Sequence, residues 1–330
     1  MKQNLRVSLG AVVLALATLA AVIFALLNFD QRNRYDSPND GVTWIDTDHG
    51  VQALHVAPNS PASHTAIHTG DILLAFDGAP ISRAAEVARW LDRAGLWTLV
   101  HYKLSRNGAE FEAPLVTAPA EKPLAAENYL RAVGLLYLFI GLFIFIRRWN
   151  APRAVHFYIF CLASFILWSF HYSGKLDTFD WEVYWSEVVA RLLVPALLLH
   201  FALVFPGRTE SRMRTTAKLA AVYLLPVALL LVHVSTAVKA LGFVPWLGSY
   251  ILLLKLGFGY LAAYFIAAGV VFYRNYREAP SGVLKQQLKW LTGGTLLGSL
   301  PVSLLYILPL VLDLARPTWM NVTVTSLVLI

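Results

Sequence analysis

The feature that most constrains this chain is its series of long apolar runs. They lie at 7–29, 132–146, 154–172, 183–205, 219–238, 247–273 and 288–312, and an eighth begins at Val322. A membrane-spanning helix needs about 20 mainly apolar residues, and the first run contains no charge between Arg6 and Asp30. It is long for the apolar part of a cleaved leader. Asn28-Phe29-Asp30 also lacks the small-x-small pattern of a cleavage site, so the run reads as a retained anchor. With 57% apolar and 14% charged residues and a mean hydropathy of +0.57, the 330-residue chain has more apolar surface than one soluble core can hide. The lipid bilayer is therefore its first expected partner. The expected fold class is a polytopic α-helical membrane protein of about eight transmembrane helices. The last is expected to be truncated, because the nine residues 322–330, at about 1.5 Å rise each, fall short of a hydrocarbon core about 30 Å thick.

The basic residues fall in alternate connections. Arg147, Arg148 and Arg153 form one cluster, Arg208, Arg212, Arg214 and Lys218 a second, and Arg274, Arg277, Lys285 and Lys289 a third, while the intervening loops hold only Lys175, Lys239 and Arg316. This alternation predicts a cytoplasmic N-terminus. Trp168, Trp181, Trp185, Trp246 and Trp319 then sit near outer helix ends, as interfacial aromatics do. The net charge of +7 is spent on topology in this way, so no nucleic-acid partner is expected. Cys161 is the single cysteine, which excludes an intramolecular disulfide and a cysteine-cluster metal site. His171, His200 and His233 lie near helix ends without paired spacing on one helix, so no metal site is expected.

Residues 36–118 have a different grammar. Val51-Gln52-Ala53-Leu54-His55-Val56 alternates, 72–76 reads as a buried strand, and 82–94 reads as a helix with Ala85, Val87, Ala88 and Leu91 on its apolar face. Asp77-Gly78 and Asn107-Gly108 are hairpin signals, the second pairing 100–105 with 110–116. The chain thus divides into a first helix at 1–30, a small α+β domain at 36–118 and a seven-helix bundle at 129–330 whose last helix is incomplete.

Several short motifs occur in order within that domain: Gly50-Val51, Val56, Asn59-Ser60-Pro61-Ala62, Ala66-Ile67, Gly70-Asp71-Ile72-Leu73, Phe76-Asp77-Gly78 and Ser105-Arg106-Asn107-Gly108. Together they resemble a bacterial PDZ domain, here inserted between helices 1 and 2. The resemblance implies a groove between the 82–94 helix and a neighbouring strand edge, in which a peptide or protein C-terminus adds as a strand. It assigns Asp40-Gly41-Val42-Thr43 to the carboxylate loop and following strand, so that the implied ligand-binding residues are Gly41, Val42, Thr43, Val87 and Leu91. A PDZ-type fold serving only as a cap on the helices is the alternative. Ala66, where that family mostly has glycine, is a departure from its pattern.

Within the apolar runs, Glu187, Arg191 and Lys255 require explanation, because ionisable groups in a bilayer are costly. Glu187 and Arg191 are i,i+4 neighbours, and Arg191 and Lys255 lie at similar depth. The three could form an intramembrane polar pocket, or else an internal ion pair with a lysine reaching the interface. Pro195, Pro226, Pro301 and Pro309 are expected to kink their helices.

Residues 193–206, with Pro195, Leu199-His200-Phe201 and Val204-Phe205-Pro206, and the stretch Lys285-Gln286-Gln287-Leu288-Lys289-Trp290-Leu291 leading to Gly293-Gly294 resemble the membrane region of bacterial sensor histidine kinases. The layout of one helix, a PDZ-like loop and seven further helices is similar to the pheromone-sensing kinases of Bacillus competence. The resemblance implies the sensor and signal-transmission part of a homodimeric kinase. ATP and a response regulator would then be partners of a kinase domain beyond residue 330. No cofactor and no catalytic residue is expected in residues 1–330, since the sequence has no His-Glu-x-x-His, Gly-x-Ser-Gly or Gly-rich phosphate-loop motif. A non-kinase scaffold or transporter-like protein that recruits a partner through its PDZ-like domain, and the same membrane module joined to a phosphatase or nucleotide cyclase, remain the alternatives.

Overall fold

A computed structural model describes residues 2–147, 153–175, 177–205, 212–238, 247–280 and 282–312. The run beginning at Val322, together with Arg148, Pro206, Arg208, Trp246 and Trp319, lies outside the described residues. Helix α1 (Lys2–Arg34) is followed by an antiparallel sheet domain, and the chain then returns to helices α3 (Leu124–Arg147), α4 (Ala154–Ser169), α5 (Thr178–Val204), α6 (Arg212–Val238), α7 (Leu247–Glu278) and α8 (Val283–Pro301). Helix α8 continues through a π-helical stretch, Val302–Ile307, into a last turn, Leu308–Val311. Among the described residues, six helices are long and apolar enough to cross a bilayer, and the protein is a multi-pass membrane protein with one sheet domain.

Helix α4, at 16 residues, is shorter than a full span and ends at Ser169 rather than at 172. The physical reason is a tertiary contact. Asn28 of α1 donates from Nδ2 to the His171 carbonyl and accepts from the His171 N–H, both at 2.9 Å. This side chain takes the two backbone groups that a longer helix would use internally, and Phe170 is already extended.

Small residues set the tightest helix contact. An added Cβ at Gly134 of α3 would meet Ser169 Oγ at 2.5 Å, and one at Gly141 would meet Cys161 Cβ at 2.6 Å. Close approach of α3 and α4 through such positions is how bilayer helices gain dispersion contacts without a hydrophobic drive between them. Helices α5 and α7 are fastened by polar groups instead. Tyr260 donates to the Leu192 carbonyl at 2.6 Å, one turn before Pro195, and Asn275 Nδ2 donates to the carbonyls of Ala202 and Phe205 at 3.1 and 2.8 Å.

In the sheet domain, β2 (Val42–Thr47), β3 (Gly50–Val56), β4 (Ile72–Phe76), β6 (Leu99–Arg106) and β7 (Ala109–Val116) pair in that order, and the short β5 (Ala79–Pro80) folds back on β4. Both hairpin signals place their two turn residues at positive φ: Asp77 and Gly78 at 47° and 78°, Asn107 and Gly108 at 53° and 83°. Such turns match the twist of the strands they join. Helix α2 (Ala84–Ala94) buries Val87 and Leu91 among Val51, Leu73, Phe76, Val100, Tyr102 and Leu115. Ala85 and Ala88 are exposed, so the apolar face of α2 is turned from the predicted one, with Ala84, Trp90 and Ala94 flanking the buried pair. A two-stranded neck, β1 (Pro38–Asn39) paired with β8 (Ala118–Pro119), joins the two chain crossings beneath the domain.

Candidate functional site

Two regions concentrate polar chemistry: the loop leading into β2, and the junction between the sheet domain and the helices.

Strand β2 lies at one edge of the sheet, and among the described residues no strand pairs with its outer side. Helices α2 and α7 both approach it. Asp46 of β2 accepts a 2.6 Å hydrogen bond from the Ala84 N–H, supplying the cap that Arg83 does not give α2. The loop before the strand is built around Asp40, which is buried. Its carboxylate accepts from the Val42 N–H at 2.9 Å, the Trp44 indole at 2.8 Å and the Tyr102 hydroxyl at 2.7 Å. Burial pushes this carboxyl above its usual range, and the three donors pull it back only in part.

In this structure the amides of the expected carboxylate loop have partners within the loop. The Gly41 N–H is bonded to Asn39 Oδ1 at 3.1 Å and the Val42 N–H to Asp40, so the amides that the PDZ resemblance assigned to a ligand carboxylate are held by the loop's own side chains. Gly41 has a reason of its own: at φ +84°, a Cβ there would stand 2.1 Å from Ser60 Cβ. Val42, Val87 and Leu91 do come together, but in the domain core, where they fix α2 against the sheet. Thr43 is exposed, at a bulge where the register with β3 shifts. Trp44 and Tyr102 are the residues that sequence reasoning missed, while Asp40, named there as part of the loop, binds both of them. Asp40 preceding a positive-φ glycine was the available signal, but its partner Tyr102 is 62 positions away.

On the far side of the domain, Arg106 grips Asp71 through two hydrogen bonds of 2.7 and 2.8 Å and also donates to the Ala66 carbonyl at 2.6 Å. Burial alone would raise the Asp71 carboxyl, but the donors Arg106 and His68 N–H hold it below its usual range. This clamp gives the Gly70-Asp71 motif its structural role.

At the junction, Arg32 in the last turn of α1 binds Glu127 in the first turn of α3 through Nε (3.2 Å to both carboxylate oxygens) and Nη2 (2.7 Å). Arg131, one turn further along α3, lies 3.5 Å from the same carboxylate and 4.9 Å from the Phe29 ring centre. Lys122 reaches Asp36 at 2.7 Å and the Arg32 carbonyl at 3.0 Å. Asp180 gathers the Ser173 N–H and hydroxyl and the Gly174 N–H at 2.7 to 2.9 Å. Gln31 of α1 reaches Ser173 at 3.1 Å, completing a polar layer that fastens α1, α3 and the α4–α5 connection below the neck.

Of the intramembrane residues, Glu187 and Arg191 form the i,i+4 ion pair. Lys255 is half-buried on α7, which packs along α5, and has interactions of its own. His200 lies against His156 of α4, with ring centres 4.3 Å apart and planes tilted by 55°, and hydrogen-bonds the Tyr223 hydroxyl at 2.8 Å. Among the described residues, no cluster of three or more metal-ligating side chains occurs.

Against known proteins, residues 130–330, more than half of the chain, match the family described as the N-terminal 7TM region of histidine kinase. The chain belongs to this family. The membrane bundle of this histidine-kinase sensor region therefore has its counterpart in α3 to α8 and the residues that follow. The chain is also similar to a putative serine protease, HhoA, of a Synechocystis species, 32% identical over 93 residues. That match covers 28% of this chain and 23% of HhoA, so the chain spans about a quarter of the curated relative it resembles. Two solved structures share weaker likeness. The HtrA-type protease AlgW with a decapeptide is 15% identical at a TM-score of 0.27, covering 31% of this chain and 34% of that one. A serine endoprotease from Yersinia pestis is 21% identical at 0.26, covering 31% and 36%.

Proposed function

We propose that this histidine-kinase sensor region detects an extended protein or peptide segment with its sheet domain, a PDZ-like module on the outer side of the membrane, and passes occupancy to the helices. The N-terminus is then cytoplasmic. The full protein would act as a homodimer, with ATP and a response regulator as partners of its kinase domain. The observation that carries the reading is the outer edge of β2, unpaired among the described residues and approached by α2 of the domain and α7 of the bundle. A ligand that adds as a strand there gains main-chain hydrogen bonds and meets an element of the membrane bundle directly. Because the Gly41 and Val42 amides already have partners, these amides would contribute nothing to holding a free C-terminal carboxylate.

The test uses the full chain in lipid nanodiscs, screened against extended peptides with free and with amidated C-termini. Micromolar binding, on the order of −7 to −8 kcal/mol, is expected with both. Thr43→Lys, an edge charge of the kind that discourages strand addition, should abolish it. Absence of any binding peptide would leave the domain as a cap on the bundle. For orientation, a cysteine introduced at Asn107 in a chain lacking Cys161 should react with an impermeant reagent added outside intact cells, and one at Gly282 should not; the opposite pattern would invert the topology.

A further inference from the structure

We propose that the bundle holds a second ligand site, an intramembrane cavity for an uncharged single-chain amphiphile that enters from the bilayer. The cavity, about 340 Å³, lies where α3, α4, α5, α7 and α8 meet, and its walls are mostly apolar, with Phe160, Phe201 and Phe265 on three different helices. Sites for small apolar ligands have this size and character, with a few convergent polar groups fixing orientation.

Among the polar groups that line it, the one left unsatisfied is Ser299. It lines the cavity, only 8% of its surface is exposed, and among the described residues its hydroxyl has no hydrogen-bond partner. A helical serine in an apolar setting ordinarily bonds back to the carbonyl four residues earlier, and a buried hydroxyl left unpaired is unfavourable. A ligand oxygen in the cavity would satisfy it. One turn away, the wall passes through the π-helical stretch Val302–Ile307, in which the Ser303 carbonyl accepts from the Leu308 N–H; Ser303 also lines the cavity. π-helical turns within α-helices are frequent at functional sites.

The class of ligand follows from the lining. Among the described residues no charged side chain contributes to it, so a carboxylate or ammonium head would be buried without compensation. A hydroxyl or carbonyl on a hydrocarbon chain fits. Trp290 lines the cavity and is 75% exposed on a helix apolar enough to span a bilayer, consistent with entry from the lipid side.

The test is photo-crosslinking of the full chain in nanodiscs with three diazirine probes: hexadecanol, palmitic acid and a phosphatidylcholine. Hexadecanol should label cavity residues on α4, α5, α7 and α8, and the other two should label mainly lipid-facing residues such as Leu16 and Phe139. Gly298→Leu fills the cavity, and because nothing stands within 4 Å of a Cβ at that position the fold should tolerate it. Cavity labelling should fall at least about tenfold in that variant, the effect of about 1.4 kcal/mol, with labelling at Leu16 unchanged. Ser299→Ala should reduce hexadecanol labelling about fivefold, the loss of one neutral hydrogen bond. Labelling of the cavity that persists in Gly298→Leu, or hexadecanol found only on the outer surface, would overturn the site; equal cavity labelling by the phospholipid or the acid would overturn the ligand class.

Discussion

Arg32 and Glu127 join the helix that leads into the sheet domain to the helix that leads out of it, 95 residues apart in sequence, and both side chains are nearly buried, at 13% and 10% exposure. The pair closes the base of the neck. Any rotation of the sheet domain that spreads its two chain crossings must stretch this contact, so the pair is where domain movement would reach the bundle.

Arg32→Ala leaves the buried Glu127 with only its longer contact to Arg131, and Glu127→Gln leaves two buried arginines without their shared carboxylate, each costlier than losing the pair as a whole. Arg32→Ala and Glu127→Gln should each destabilise the protein by about 2–4 kcal/mol, seen as a lower melting temperature in detergent. Glu110→Gln, which removes one partner of the exposed Lys103 pair, should cost about 0–1 kcal/mol. Equal melting temperatures for the two sets would show that the junction bears no load.

Gly41 and Gly78 both have positive φ, at 84° and 78°, but only Gly41 has a neighbour where its Cβ would go. Gly78→Ala should cost about 1 kcal/mol from backbone strain. Gly41→Ala adds a collision with Ser60 and should cost more than about 3 kcal/mol. Hydrogen exchange of the β2 and β3 amides distinguishes them: protection should collapse in Gly41→Ala and persist in Gly78→Ala.

The pH dependence of the sheet domain should carry the mark of Asp40. Its carboxyl titrates above the usual range in the folded state, so between the unfolded value and the higher folded value the native state binds more protons. Stability contributed by this group therefore declines as pH rises through that window and is level above it. In Asp40→Asn the declining component should vanish, so the gap between native and variant should be widest near pH 4 and narrower at pH 7, read from hydrogen-exchange protection of β2 and β6. A gap that widens with pH would reverse the assignment.

Cys161 is fully buried against Gly141. A thiol reagent should leave it unlabelled in the native protein. Gly141→Val must push α4 away from α3, and Cys161 should then react several-fold faster under the same conditions. Unchanged labelling would mean that α3 and α4 can part without exposing the thiol.

Much of this was readable along the chain because it is local. The two hairpins follow from Asp77-Gly78 and Asn107-Gly108, whose positive φ is a property of those residues. The Glu187–Arg191 pair follows from helical spacing on one element. The apolar face of α2 was misread by part of a turn, since alanine is indifferent to burial and Ala85 and Ala88 gave no direction. The carboxylate loop was less legible for a different reason. Gly41 does mark a left-handed turn, but whether its amide is offered to a ligand depends on where Asn39 and Asp40 place their oxygens, and Trp44 and Tyr102 decide that.

The sequence alone determined that the chain lives in a bilayer and carries one folded domain between its first helix and the rest, because hydrophobic run length and turn chemistry act over a few residues. Only the tertiary structure decided that Asn28 ends α4 through His171, that Arg32 meets Glu127, that His156 meets His200, and that five helices leave a cavity around an unpaired Ser299. In a membrane every helix offers apolar surface on all sides, so hydropathy is silent about which faces meet. That choice rests on small residues, single hydrogen bonds and close fit between positions far apart in sequence.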